Sequence, residues 1–424
     1  MAQLTDDCFA FSGPLLPVSD LERIIAERIT PVVEIEALPL AKARGRTLAK
    51  DISAPINLPP FDNSAVDGYA VRHADLDPQG ETKLVIAERI TAGRAAVQPL
   101  PPHAAIRIFT GAPMPDGADT VFMQEDVRTE NGVVIVPPGL KRGANRRLAG
   151  EDVHSGSVVL PAGRILSFAD IALASALGLT ELPVRRRIRV ALFSTGDELV
   201  EPGQPLRNAT LYDANRALLA GLIESLGAET TDLGILPDDP AQLGTALKAA
   251  ADDHDLVLTS GGVSTGEADH VRNAVEAIGK LVFWRVAIKP GRPVAMGVIP
   301  GQRADANAAF VGLPGNPVAA FVTFVRVVRP LIMRLSGADA VPLVALPVRT
   351  AFSYRKKKGR REYVRVALTR ADDGVVEASK YKQDGAGVIT SLTETDGLVE
   401  LGEDATDIAQ GDIVGFLPYA VLTG

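Results

Sequence analysis

Apolar positions along this chain recur at two spacings, and the changes between them divide it. Leu21, Ile24, Ile25 and Ile29 share one helical face behind Ser19, which predicts an amphipathic helix over Val18 to Ile29 capped by that serine. From Pro55 to about 155 the texture is Pro- and Gly-rich, with short alternating runs such as Lys83 to Glu88 and Gly132 to Val136, the pattern of a small β domain. Helical spacing returns at Phe168 to Leu177 and stops at Gly178, as a C′ glycine would stop it. Leu182 to Val190 then leads into a block with helices predicted at Asn215 to Leu226, Asp269 to Ile278 and Pro317 to Leu335.

Within that block Val190 to Phe193, Leu256 to Leu258 and Ala309 to Val311 are too short and too bounded by turn residues for buried helices. Each reads as a strand followed by a glycine-punctuated loop and a helix, which predicts a parallel sheet covered on both faces. After Gly337 alternation resumes at Val341 to Val348, Tyr363 to Leu368 and Asp412 to Leu417, a separate C-terminal β domain. The expected class is α/β plus β, multidomain. Its parts are an N-terminal segment (1–36) whose helix packs on the α/β domain, a linker domain in two pieces (37–54 and 156–187), a small β domain (55–155), the α/β domain (188–336) and the C-terminal β domain (337–424).

Composition narrows the classes. The 424 residues are 46% hydrophobic, ample for several cores, and a net charge of −8 argues against a general nucleic-acid binder. Cys8 stands alone, which excludes an intramolecular disulfide and a Cys-rich zinc site, and five histidines show no ligand-like spacing. No apolar stretch would span a bilayer, and Asp6 and Asp7 stand where a signal peptide would be basic, so the expected compartment is the cytosol.

The three strand-end loops carry the candidate chemistry: Ser194 to Glu198, Ser260 to Asp269 and Gly312 to Pro317. In open parallel sheets ligands sit beyond the carboxyl ends of such strands, where backbone N–H groups and helix N-termini attract anions. The loops are therefore expected to converge on one anionic ligand. In the first, Asp197 and Glu198 read either as Mg²⁺ ligands or as a helix cap with a first-turn acid. In the second, Gly261, Gly262 and Gly266 permit close backbone approach, and Ser260, Ser264 and Thr265 offer hydroxyls to oxyanions. That loop matches neither the dinucleotide nor the nucleoside-triphosphate fingerprint. Asp269 reads as an N-cap or as a group facing the ligand. Lys289-Pro290-Gly291-Arg292-Pro293 holds a cation in a stiff segment, or is a solvated turn. Arg355 to Arg361, with six basic residues among seven, is a solvated loop or the edge of an anion-binding cleft.

Seven stretches in order, Pro60 to Val71 (PFDNSAVDGYAV), Phe109 to Pro113 (FTGAP), Gly150 to Asp152 (GED), Ala191 to Leu199 (ALFSTGDEL), Ser260 to Asp269 (SGGVSTGEAD), Ala287 to Pro293 (AIKPGRP) and Gly312 to Pro317 (GLPGNP), resemble the molybdopterin molybdenumtransferase family, relatives of the E domain of gephyrin. Any one of these motifs is weak, but together they are very specific and span nearly the whole chain. The resemblance implies that the α/β domain binds molybdopterin. It also implies insertion of molybdenum from molybdate into adenylylated molybdopterin with release of AMP, a requirement for Mg²⁺, and a homodimer whose cleft is shared between subunits. By the same resemblance Asp67, Glu198, Asp238 and Asp269 form an acidic site, with Asp67, Glu198 and Asp269 as metal ligands, while Thr110 and Asp152 face it from the small β domain. Ser260, Gly261, Gly262, Ser264, Gly266, Pro314, Gly315 and Asn316 would contact substrate. Pro290 and Gly291 would contact substrate as well, and Arg285, Lys289 and Arg365 would bind molybdate or phosphate. Molybdopterin adenylyltransferase and molybdoenzymes are the implied partners, without nucleic acid or membrane. Ala319 and Ala386 stand where, or near where, relatives carry serine, so two hydroxyls are missing there. A gephyrin-like scaffold and molybdopterin adenylyltransferase itself are the alternative readings.

Overall fold

The computed structural model of the chain describes residues 15–261, 270–301 and 307–423. Glu229–Leu236, Arg189–Thr195, Leu256–Ser260 and Asn307–Leu313 lie side by side in that order as parallel strands. Val190, Leu192, Leu258 and Val311 enter one core, and Ala191, Phe193, Val257 and Phe310 enter another, so both faces are covered and these runs show no polar alternation. Helices Val18–Arg28 and Asn215–Ser225 and the helical run from Pro317 to Leu335 cover the first face. Pro240–Asp253 and His270–Ile278 cover the second. The sequence pattern does not reveal helix Pro240–Asp253, because two leucines and small alanines make a thin apolar stripe. Its start is marked by Asp239, whose side chain accepts from the Gln242 N–H at 2.8 Å.

Several expectations are corrected here. The sheet is mixed rather than wholly parallel: Pro293–Pro300 and Lys280–Arg285 extend it antiparallel beyond 307–313, because the short turn joining them leaves no room for a crossover helix. The stretch Leu182 to Val190 that leads into the block spans parts of two strands, Glu181–Arg185 and Arg189–Thr195. Between them Arg186 turns aside to bind Asp255 through both terminal nitrogens (2.9 and 3.0 Å) and Glu34 at 2.7 Å. Ser19 lies inside the first helical turn, and the Pro17 carbonyl accepts from the Leu21 N–H at 3.0 Å. The strand expected from Val341 begins only at Leu346, since Pro342 has no N–H for a ladder. Gly178 does end helix Phe168–Ala176, with φ of +80° and the Leu179 N–H on the Ala174 carbonyl at 3.0 Å.

The small β sheet runs in the order 120–123, 68–71, 104–108, 82–90, 133–136, 128–130, with a core on each face. Chain passes to and from it through one joint, where Ile35–Pro39 pairs with Glu181–Arg185 and Ile52–Ser53 with Val158–Leu160. In the C-terminal part Arg361–Arg370, Val376–Lys380, Leu346–Thr350, Ile413–Pro418 and Gly397–Leu401 pair in turn, and 397–401 returns to 361–370, closing a barrel on Val348, Val366, Val399 and Phe416. Ile288–Lys289 joins the barrel in parallel with Arg361 and Glu362, so a turn of the α/β sheet is stitched to the barrel.

Candidate active site

Beyond the carboxyl ends of the parallel strands, Ser194, Thr195, Glu198, Ser260, Gly261, Gly315 and Asn316 line one cavity of about 540 Å³, which the barrel closes with Gly387 and Ile389. Asn215 fastens two of the loops, its Nδ2 donating to Ser260 Oγ at 2.7 Å and to the Gly315 carbonyl at 2.6 Å. Thr195 Oγ1 donates to Asp238 Oδ1 at 3.5 Å, which brings that carboxylate beside the cavity. The Glu198 carboxylate folds over Gly196, whose φ of +145° favours glycine and would strain any other residue. Gly262, Ser264, Gly266 and Asp269 lie outside the described residues.

A second cavity, about 270 Å³, lies across the segment 384–389: Asp384 and Ala386 line it, as Gly387 and Ile389 line the first. Lys289, Pro290, Tyr354, Glu362 and Arg365 line it too. Glu362 is 1% exposed and accepts from Tyr354 Oη at 2.8 Å, Arg360 Nε at 2.7 Å and Lys289 Nζ at 3.2 Å. Burial alone would push its carboxyl up, but those three donors outweigh it and hold the group below the usual glutamate range. The Tyr354 phenol moves up, first through burial and then through the bond to Glu362. Arg365 donates to the carbonyls of Gln383 (2.7 Å) and Gly385 (3.2 Å), and burial lowers its pKa. Its Nε is buried without a hydrogen-bond partner among the described residues. Gly291 holds the Lys289 turn against the helix: at φ +103° a Cβ would meet Thr323 Oγ1 at 2.2 Å.

Other expected site residues stand elsewhere. Arg285 is exposed at a strand end, and it, Pro314 and the buried Ala319 line neither cavity. Asp67 and Thr110 meet each other on the small β sheet, and Asp152 is exposed; neither cavity takes a side chain from 55–155 of the same protomer. Among the described residues no three His, Cys, Asp or Glu side chains gather as a metal cluster. The basic run is largely neutralised by the barrel itself: Arg355 pairs with Asp407, Lys358 with Asp404, Arg360 with Glu362, and Arg361 with Glu400 and Glu403. Lys356 is 5% exposed and caps the carbonyls of Gly402 and Ala405, both at 2.8 Å. Sequence reasoning missed Asn215, and it missed Tyr354, Lys380 and Tyr381, which also line the second cavity. Only Asn215, a polar residue opening a predicted helix, left a signal.

Comparison with known proteins bears on the whole chain. Residues 16–178 match the MoeA N-terminal region (domain I and II), 191–334 a probable molybdopterin binding domain, and 347–419 the MoeA C-terminal region (domain IV). The molybdopterin molybdenumtransferase of Haemophilus influenzae is 38% identical over 413 residues, covering 97% of this chain and 100% of that protein. Molybdopterin molybdenumtransferase 2 of Mycobacterium tuberculosis is 37% identical over 408 residues, covering 93% of this chain and 97% of that one. The crystal structure of the molybdopterin biosynthesis moeA protein from Pyrococcus horikoshii superposes with a TM-score of 0.80 at 30% identity, over 96% of this chain and 100% of that one.

Fold and cavities thus define a class, multidomain MoeA-like proteins built around a molybdopterin-binding α/β domain and a C-terminal barrel. Within it, the chain belongs to the molybdopterin molybdenumtransferase family, a family of enzymes.

Proposed function

We propose that this enzyme takes molybdenum from molybdate, inserts it into adenylylated molybdopterin and releases AMP. The observation that carries the reading is the pair of cavities divided by 384–389. One holds Lys289 and Arg365, cations suited to a tetrahedral dianion. The other offers strand-end hydroxyls, the Asn316 side chain and a helix start to phosphate oxygens. A substrate that joins a pterin phosphate to AMP needs its developing oxyanion charge stabilised when the anhydride breaks, and no covalent nucleophile is required.

The residues fit a magnesium ion, which takes one or two carboxylates and fills its shell with water and substrate phosphates. Glu198 would hold it on this protomer, with Asp67 and Asp269 as the other expected ligands, and bound there it would neutralise phosphate charge. Asp67, Thr110 and Asp152 line neither cavity of their own protomer, so we read them as supplied to the cleft by the second subunit of a homodimer. No helix among the described residues is long and apolar enough to cross a membrane. We read the enzyme as cytoplasmic, receiving substrate from a molybdopterin adenylyltransferase and passing cofactor to molybdoenzymes. A gephyrin-like scaffold would bind the substrate without turnover. Incubating the purified chain with adenylylated molybdopterin, molybdate and Mg²⁺ tests this: AMP should appear in step with molybdenum-bound cofactor, and AMP release that does not depend on molybdate would sink the proposal.

A further inference from the structure

The helical run from Pro317 to Leu335 is interrupted at Phe324–Val328 by a π turn, with the Arg329 N–H reaching back to the Phe324 carbonyl. Pro330 explains the interruption, since it has no N–H to return to the Arg326 carbonyl one α-turn earlier. Such turns often mark functional sites. Here the two arginines of the widened segment, Arg326 and Arg329, line a cavity of about 300 Å³ between this helix, helix Val18–Arg28 and the barrel.

Four guanidinium groups, of Arg326, Arg329, Arg334 and Arg361, line that cavity with three carboxylates, of Glu22, Asp339 and Glu400, and Glu403 pairs with Arg361 from outside it. Glu400 is divided between Arg326 and Arg361, and Glu22 stands 3.7 Å from Arg326. Arg326 is only 5% exposed, and its Nε has no hydrogen-bond partner. The Arg329 guanidinium has neither an ion pair nor a hydrogen bond among the described residues, and its Nε is buried too. Burial first, and repulsion from Arg326 second, hold its pKa below the ordinary arginine value. A partly desolvated guanidinium without a counter-charge carries a cost, and a planar fork of N–H donors is the geometry that recognises carboxylate or phosphate. The remaining wall, including Ile25, Val325, Met333 and Leu343, is apolar.

We propose that this cavity binds a small organic anion, a phosphate or carboxylate head on an apolar body, with the head on the Arg329 guanidinium. The site is separate from the cavities of the proposed reaction, although it abuts them: Arg361 lines it, and the next residue on the strand, Glu362, lines the Lys289 cavity.

Calorimetric titration of the full-length protein with phenyl phosphate, benzoate and inorganic phosphate tests the proposal. At least one aromatic anion should bind about tenfold or more tightly than inorganic phosphate, because the apolar walls reward its ring. The tighter of the two identifies the head group. Arg329→Met should weaken that probe by about tenfold or more without lowering the melting temperature of the ligand-free protein, since only a partly buried guanidinium without a counter-charge is lost. Lys289→Met should leave the affinity unchanged. If Arg329→Met does not fold, Arg329→Lys decides, because it keeps the charge and loses the fork, and several-fold weaker binding is expected. No binding by either aromatic anion, unchanged affinity in the Arg329 variant, or loss in Lys289→Met instead, which would put the probe in the reaction cavity, each overturns the proposal.

Discussion

Thr110 gives both its backbone N–H and its hydroxyl to one oxygen of Asp67, each at 2.8 Å. The backbone bond first, and the hydroxyl second, hold the Asp67 carboxyl below the usual aspartate range, so it is ionised throughout the neutral region. The clamp fixes one oxygen and leaves the other without a donor among the described residues. We read a carboxylate oriented this way on a half-exposed loop as a group that acts in chemistry rather than in holding the sheet together.

Asp67→Asn should therefore cut molybdenum insertion by about 10²-fold or more, the lower range for a positioned catalytic group, with little change in melting temperature. Steady-state turnover beside a thermal melt measures both. Near-wild-type turnover would remove Asp67 from the mechanism.

Glu362 offers a pH test. Its carboxyl is depressed in the folded state by Tyr354, Arg360 and Lys289 acting against burial. A depressed acid contributes stability that is present above its unfolded value, about 4.3, and is lost as pH falls through the lower folded value. The gap in melting temperature between wild type and Glu362→Gln should be widest near neutral pH and narrow on acidification below about pH 4. A gap that stays constant from pH 7 to pH 3 would mean the three donors do not act through the charge.

The same carboxylate marks where the sequence stopped being legible. Strand-end loops around Thr195, Ser260 and Asn316 could be read from short apolar runs punctuated by glycine, since a strand buried on both faces leaves that signature. Barrel closure could not, because Gly397–Leu401 meets Arg361–Arg370 by a pairing no local spacing encodes. For that reason Tyr354, Glu362 and Lys380 are joined to Lys289 only in three dimensions. The basic run misled in the other direction, because its partners Glu400, Glu403, Asp404 and Asp407 lie far downstream, with Glu400 39 residues from Arg361 and Asp407 52 residues from Arg355.

Lys356 should accordingly behave as a structural residue. With Nζ on the Gly402 and Ala405 carbonyls, Lys356→Met leaves buried acceptors unmade and should cost about 1–3 kcal/mol of stability. Substrate affinity should stay put at low and high salt. Weakened binding of adenylylated molybdopterin with unaltered stability would return the segment to the cleft.

Ala386 lines the cavity that holds Lys289 and Arg365, so a hydroxyl placed there points a new donor at the same anion. Ala386→Ser should lower KM for molybdate by several-fold, about what one hydrogen bond to a charged group supplies, and Lys289→Met should raise it by about tenfold or more. Initial rates across a molybdate series decide. If neither substitution moves KM, molybdate binds somewhere else.

Sharing of the cleft between subunits has the most demanding test. Asp67 and Thr110 line neither cavity of their own protomer, whereas Glu198 lines the larger one. If the second subunit of a two-fold dimer delivers Asp67, the site is built twice from complementary halves. Mixing inactive Asp67→Asn chains with inactive Glu198→Gln chains, after dissociation and reassociation, then creates heterodimers in which one cleft carries both lesions and the other carries neither. Random assortment makes about half the dimers mixed, each with one intact cleft of two, so roughly a quarter of wild-type activity should return if the clefts act independently. Native mass spectrometry of the mixture verifies that heterodimers have formed. Activity that remains at the parental level in their presence would mean that each subunit completes its own site, and Asp67 would then have to reach Glu198 within one chain by a movement of the small β sheet about its joint with the α/β block.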